Sequence, residues 1–360
     1  MNQNVKIDVP ESPRRIRLVR AVSLAVAALL ILGVCALITP ILMPKYLSVS
    51  PEGSLTREYY GAVAEGEHDV LFIGDCEVYE SFVPTVLFEE YGITSYVRGG
   101  AQQLVWHSYY LLEDALRYET PRVVVYNVLA LKYGEPQKEA YNRMALDGMA
   151  WSASKVAAIR ASMTEEEDFL SYVFPLLRFH SRWQELGAED FRYAFFRPPL
   201  VSDCGYLMQT GVVPYDPAKD LDPSPLVDPR LPATSMAYLD RMRDLCAERG
   251  IELVLVKAPT NAWQYHWYDE WDAEVREYAA ENGLAYYNLI PEADAIGLDM
   301  STDTYDGGVH LNVYGAEKLS RYFGAILQER HNTPDRRGES AFDVLWQGRI
   351  EAYERRKQTA

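Results

Sequence analysis

Two runs of consecutive apolar residues, Val70 to Ile73 and Val123 to Val125, restrict this chain more than any other feature. A strand with one face in water alternates apolar and polar side chains. A run without alternation is covered on both faces, as inside a parallel sheet. The first run stops at Gly74 and the second strand, from Arg122, finishes on Asn127. Thr94 to Arg98, ending in Gly99 and Gly100, Ile251 to Val256 and Ala285 to Leu289 read as further strands. Helical spacing lies between them: Val83 to Tyr91 with Pro84 in the first turn, Gln103 to Tyr118, Ser235 to Arg249, Asp269 to Asn282, and a last helix from near Asn312. Strands alternating with helices predict an α/β chain, a parallel sheet with right-handed crossovers.

The alternation breaks between Glu135 and Leu231. Ala140 to Met163 and Glu166 to Trp183 read as helices, and Pro198 to Pro232 is punctuated by Pro and Gly. An irregular segment of that length inside a compact domain is an insertion, and a lid over a site and a structural cap both fit it. The spacing of its Asn142, Arg143, Asp147 and Lys155 puts several of them on one helical face, which reads first as a solvated surface and second as a substrate clamp.

The N-terminal end has a different character. After the cluster Arg14, Arg15, Arg17 and Arg20, the stretch Ala21 to Pro44 carries no charge, which is long enough to cross a bilayer. Arginines before the span and no dense basic cluster after it place the N-terminus in the cytoplasm and the remainder outside. Leu42-Met43-Pro44-Lys45 offers no small-residue cleavage site, so the segment reads as a retained signal anchor. Leu32-Gly33-Val34-Cys35 is a poor lipoprotein box because Val34 is bulky. The expected organisation is a cytoplasmic tail (1–20), a transmembrane anchor (21–44), a connector with a short helix (45–67), one α/β domain (68–330) holding the insertion 135–231, and a tail (331–360). In that tail, Trp346 to Lys357 is charged and amphipathic, packed on the surface or frayed.

Composition excludes some functions. A formal net charge of −17 disfavours nucleic acid or an anionic lipid surface as the main partner. Cys35, Cys76, Cys204 and Cys246 show neither zinc-ligand spacing nor a disulfide framework, and nothing in the pattern supports a Cys204–Cys246 bridge. No strand is followed by a GxGxxG or Walker A loop, so no nicotinamide, nucleotide or other cofactor is expected. A metal held by Cys76, His107 and His310 is not demanded by the spacing.

The chemistry centres on Gly74-Asp75-Cys76-Glu77, a turn just beyond the first strand, where open parallel sheets gather their ligands. A thiol there attacks an acyl carbon if a histidine, His310, takes its proton and a carboxylate, Asp306 or Asp303, orients the ring. Backbone N–H groups at the turn, Gly99 or Gly100 and the Asn127 amide are candidates for the oxyanion, roughly 3–4 kcal/mol for one well-placed donor. Asp75, Asp303, Lys257 and Arg143 are candidates for substrate contact or for orienting the histidine. The bland reading of Cys76 is a buried, inert thiol. Glu77 beside it would raise the thiol pKa by like-charge repulsion.

A nucleophile after the first strand, a glycine after the second, an asparagine after the third and an Asp/His pair before the last helix form one block order. In it the chain resembles the SGNH, or GDSL, hydrolase superfamily over about residues 68–130 and 235–328. Gly74-Asp75-Cys76 matches the Gly-Asp-Ser block with cysteine in the serine's place, Gly99 or Gly100 the glycine block, Asn127 the asparagine block, and Asp306 to His310 the Asp/His block. The family spaces that Asp three residues before the His, whereas Asp306 stands four before, with Gly307 at the usual place. The resemblance implies a three-layer doubly wound sheet of flavodoxin-like strand order. It also implies a catalytic set of Cys76, His310 and Asp306 with Gly99, Gly100 and Asn127 at the oxyanion. The implied activity is that of an esterase or O-acyltransferase on a small ester or an acylated cell-envelope glycan, in the membrane-anchored extracytoplasmic branch found in bacterial envelopes. A second reading is an inactive glycan-binding accessory module partnered by a membrane acyltransferase.

Overall fold

The computed structural model describes residues 13–46, 50–51, 53–196, 200–218, 225–261 and 265–359. Val70–Gly74 (β1), Ser95–Gly99 (β2), Val123–Asn127 (β3), Glu252–Lys257 (β4) and Ala285–Asn288 (β5) form one all-parallel sheet in the spatial order β2-β1-β3-β4-β5. The expected flavodoxin-like order is therefore present. Val70 is level with both Ser95 and Val123, so β1 lies at the centre of the reversal and the switch-point crevice opens beyond β1 and β3.

The unalternating runs behave as their burial requires. Leu71, Ile73, Val124, Tyr126, Leu253 and Leu255 enter one apolar layer, while Val70, Phe72, Val123, Val125, Val254 and Val256 enter the other. Helices Ser54–Glu65, Val105–Ala115, Ala233–Glu248 and Asp269–Asn282 supply side chains to the first layer. Helices Pro84–Tyr91, Val313–His331 and Ser340–Thr359 cover the second. The C-terminal tail is thus a packed 20-residue helix, with Trp346 stacked on Phe88 at 5.0 Å and the Tyr353 hydroxyl donating to Glu317 at 2.8 Å.

The insertion departs from the two long helices expected. Its first half is Glu139–Leu146 and Ala153–Ser162. Gly148 between them abuts Gly53: a Cβ on Gly148 would lie 1.9 Å from the Gly53 carbonyl oxygen, so backbone must pass backbone there. Ser152 then starts a new helix by accepting from the Lys155 amide at 3.1 Å. The second half divides into Phe169–Val173 and Leu176–Phe179, with Pro175 capping the latter, then a 3₁₀ turn His180–Gln184 and a helix Ala188–Phe195.

The stretch that follows straps the sheet edge to the loop before the last helix. The Cys204 carbonyl accepts from Val97 of β2 at 2.9 Å, Leu207 donates to Tyr79 at 2.8 Å, and the Gln209 carbonyl accepts from Val313 at 2.7 Å. Val213 both donates to Thr304 at 3.0 Å and accepts from Gly307 at 3.2 Å. Of the two readings of the insertion, this part is a structural strap. Cys204 and Cys246 are both free.

At the N-terminus Pro13–Leu42 is one helix, of which Arg17–Leu42, 26 residues containing an 18-residue stretch of mean hydropathy 2.8, is long and apolar enough to cross a membrane. Residues 1–12 of the expected cytoplasmic tail lie outside the described residues.

Candidate active site

Cys76 opens a four-residue helical turn, Cys76–Tyr79, instead of sitting in an open loop. Asp75 caps that turn by accepting from the Glu77 amide at 3.2 Å. The turn packs tightly on β2: a Cβ on Gly99 would lie 3.1 Å from the Tyr79 Cβ and 3.2 Å from the Asp75 carbonyl oxygen. Cys76 is buried, and its Sγ lies 3.0 Å from the Tyr265 hydroxyl. Burial pushes the thiol up, and the neighbouring His310 opposes that shift.

His310 arrives on the loop before Val313–His331. The four-residue spacing to Asp306 closes because Gly307 and Gly308 adopt φ of 79° and 95°, the left-handed region that glycine enters without a Cβ penalty. Asp306 Oδ2 then sits 2.6 Å from His310 Nδ1, and Oδ1 accepts from the His310 amide at 2.8 Å. Asp303 is buried elsewhere, accepting from Lys318 Nζ and from the Asp299 amide, each at 2.7 Å. It buttresses the loop, and orienting the ring falls to Asp306.

A second carboxylate joins the histidine. Glu80, one helical turn beyond Cys76, places Oε2 3.4 Å from His310 Nδ1 while Oε1 accepts from the Tyr305 hydroxyl at 2.8 Å. Tyr305 stacks on the imidazole at 5.9 Å and Tyr265 meets it edge-on at 5.2 Å. Burial works to lower the His310 pKa, but the Asp306 hydrogen bond, the Cys76 thiol and the Glu80 charge outweigh it and lift it to about 11. Glu80 itself is raised to about 7, by burial first, with the His310 charge opposing. The ring's Nε2 is buried with no hydrogen-bond partner of good geometry among the described residues, and the Cys76 thiol lies within its electrostatic reach.

Beneath the turn lies a buried polar floor. Asn127 Nδ2 donates to Asp75 Oδ1 at 3.1 Å and to Glu77 Oε2 at 2.9 Å, and its Oδ1 accepts from the Ala258 amide at 3.0 Å. With both its amide hydrogens engaged by carboxylates, Asn127 as placed serves the floor and offers nothing to an oxyanion. Gly100 likewise spends its N–H on the Gly74 carbonyl at 3.3 Å. Lys257 Nζ contacts Glu77 Oε1 at 2.7 Å and donates to the Ala258 carbonyl at 2.8 Å, with both ionic side chains almost wholly buried. Asp75 is pushed up to about 7 by burial and then by the Glu77 charge.

Of the residues predicted for the site, the fold gathers Cys76, His310, Asp306, Asp75, Asn127, Lys257 and the Gly99–Gly100 pair at the switch point. Arg143 is elsewhere. It is buried within the insertion against Glu139 at 3.0 Å and Asp147 at 3.4 Å, with its guanidinium 3.6 Å from the Tyr172 ring centroid, so it holds the insertion's helices together. His107, on Val105–Ala115, accepts from the Leu104 amide at 3.0 Å as a cap of its own helix, and burial pushes its pKa down to about 3. Glu80, Tyr265 and Tyr305 escaped the sequence reading. The i+4 spacing from Cys76 was a local sign of Glu80, whereas the tyrosines sit in loops with no periodicity.

No family model matches the chain, and no curated protein matches it. Among solved structures the chain is similar to a GDSL-like lipase from Bacteroides thetaiotaomicron VPI-5482, at 12% identity, over 78% of this chain and 98% of that one, with a TM-score of 0.36.

Proposed function

We propose that the chain is an acyl hydrolase or O-acyltransferase of SGNH type, anchored by its N-terminal helix with the α/β domain outside the membrane. Cys76 is the nucleophile, His310 its proton partner and Asp306 the orienting carboxylate. The observation that carries this reading is the His310 ring, fixed through Nδ1 by Asp306 at 2.6 Å while its buried Nε2 stays unpartnered among the described residues within reach of the Cys76 thiol.

The carboxylates hold a proton on the imidazole, so the pair becomes reactive when the thiol loses its proton to solvent, leaving thiolate beside imidazolium. The thiolate forms a C–S bond to the acyl carbon as the carbonyl π pair moves to oxygen. On collapse the ester C–O bond breaks, and the leaving alkoxide takes the Nε2 proton. Water or an acceptor hydroxyl then gives a proton to the neutral imidazole, attacks the thioester, and releases the thiolate. An acylated glycan or a small ester outside the membrane suits this chemistry.

One observation favours a second reading, an accessory module that binds such a glycan for a membrane acyltransferase partner: burial holds the thiol in its neutral form, against the pull of His310 and of the Tyr265 hydroxyl. Intact-mass spectrometry of the full chain in micelles after exposure to an aryl ester separates the two. A covalent acyl adduct in wild type, absent from Cys76→Ala and slower to form in His310→Ala, supports the enzyme. A folded wild type that never acquires an adduct supports the accessory module.

A further inference from the structure

The second half of the insertion, residues 169–196, has a composition unlike the rest of the chain. It holds nine aromatic side chains in 28 residues and balances three arginines with three acidic residues, in a protein of net charge −17. Several of its rings face outward: Trp183 is 65% exposed, Phe195 62% and Phe196 70%, and Leu177 is 54% exposed. Exposed apolar surface of that density marks an interaction site.

Its neighbour identifies the occupant. Leu42 and Met43 at the end of the N-terminal helix pack on Phe179, and Arg182 Nη1 donates to the Leu42 carbonyl at 2.7 Å, tying the segment to that helix. Further up, a groove of about 640 Å³ runs between the two, with Ile31, Leu32 and Pro40 on the helix side and Phe174, Leu177 and Tyr193 on the other. A hydrocarbon core of ~30 Å takes about 20 helical residues at 1.5 Å each. Counted from the last arginine, Arg20, such a span ends near Pro40 and has its midpoint near Ile31. Side chains that touch Ile31 to Pro40 are therefore at the depth of the outer leaflet. Two of its arginines are paired at this depth, Arg182 facing Asp190 at 3.5 Å and Arg178 against Glu139 at 2.8 Å.

We infer that residues 169–196 are an interfacial element, with lipid of the outer leaflet covering Trp183, Leu177, Phe195 and Phe196 and with acyl chains filling the groove beside the anchor. Tryptophan and phenylalanine are the residues that settle at this boundary, and an amphipathic helix buries its apolar face ~5–10 Å into it. The local charge balance spares this face the repulsion that the acidic domain would otherwise feel. The domain is then held against the bilayer at two places and cannot swing freely on its connector.

This inference rests on the anchored topology proposed above. Its test uses the full chain reconstituted in phosphatidylcholine vesicles with or without brominated acyl chains, comparing wild type with Trp183→Phe. The difference emission belongs to Trp183. At least twofold quenching by brominated lipid, with little by aqueous iodide, is the expected result. Quenching by iodide and none by brominated lipid overturns the interfacial element while leaving the anchor intact. A chain that washes off the vesicles in carbonate overturns the anchor and this inference together, and acyl-adduct formation on Cys76 is independent of both.

Discussion

Asp306→Asn removes the charge at the 2.6 Å contact to His310 Nδ1 and preserves the shape of the side chain. An opposite charge at such range shifts a pKa by roughly 1–3 units, about 1.4 kcal/mol per unit. Asp306 is 27% exposed and Glu80 remains at 3.4 Å, so the lower part of that range, ~1–2 units, applies. The His310 pKa then falls from about 11, and the cation that offsets burial at Cys76 is less populated. The sign follows: the thiol is already above its ordinary value of 9.0, its thiolate forms only as pH rises, and with less imidazolium it forms at still higher pH. The assay is the rate of iodoacetamide labelling of Cys76 by peptide mass spectrometry between pH 6 and 10, with Cys204 and Cys246 as internal references. With the His310 pKa lowered to ~9–10, wild type and variant are expected to label alike up to about pH 8, where both keep the imidazolium, and to part between about pH 9 and 10, where the variant loses the cation and labels several-fold more slowly. An unchanged profile in a folded variant refutes the assignment of Asp306 as the group that sets the charge on His310.

Two further outcomes follow from the buried charges. Lys257→Met strands Glu77 without its counter-ion and should cost ~3–5 kcal/mol in guanidinium unfolding of the full chain, whereas Lys257→Met with Glu77→Gln recovers most of it; a loss under ~1 kcal/mol in the single variant would sink this account. Glu80 is raised from 4.5 to about 7, so its contribution to stability is fully present below pH 4.5 and is lost as pH rises to about 7. Glu80→Gln should therefore flatten the decline in stability over that window by ~3 kcal/mol, and an identical slope in both proteins would show that Glu80 titrates normally.

Much of this architecture was local information. Unalternating runs such as Val70–Ile73 are buried on both faces wherever they occur, so the parallel sheet and the position of Cys76 at the end of β1 followed from adjacent residues alone. The charge-free stretch after Arg20 marked the membrane-length apolar part of the N-terminal helix in the same way. Partner choice was not local. Glu77 and Lys257 meet across 180 positions, and Asn127 reaches Asp75 across 52, so only packing revealed that the asparagine is consumed by two carboxylates and that the lysine neutralises one of them. The choice of Asp306 over Asp303 turned on two glycines with positive φ, and the break at Gly148 on a backbone contact with Gly53. Hydrophobic pattern is written residue by residue because burial acts on each side chain separately. The ionic partners of a buried group are decided by the tertiary structure, because only close approach in a low-dielectric interior makes one pairing better than another.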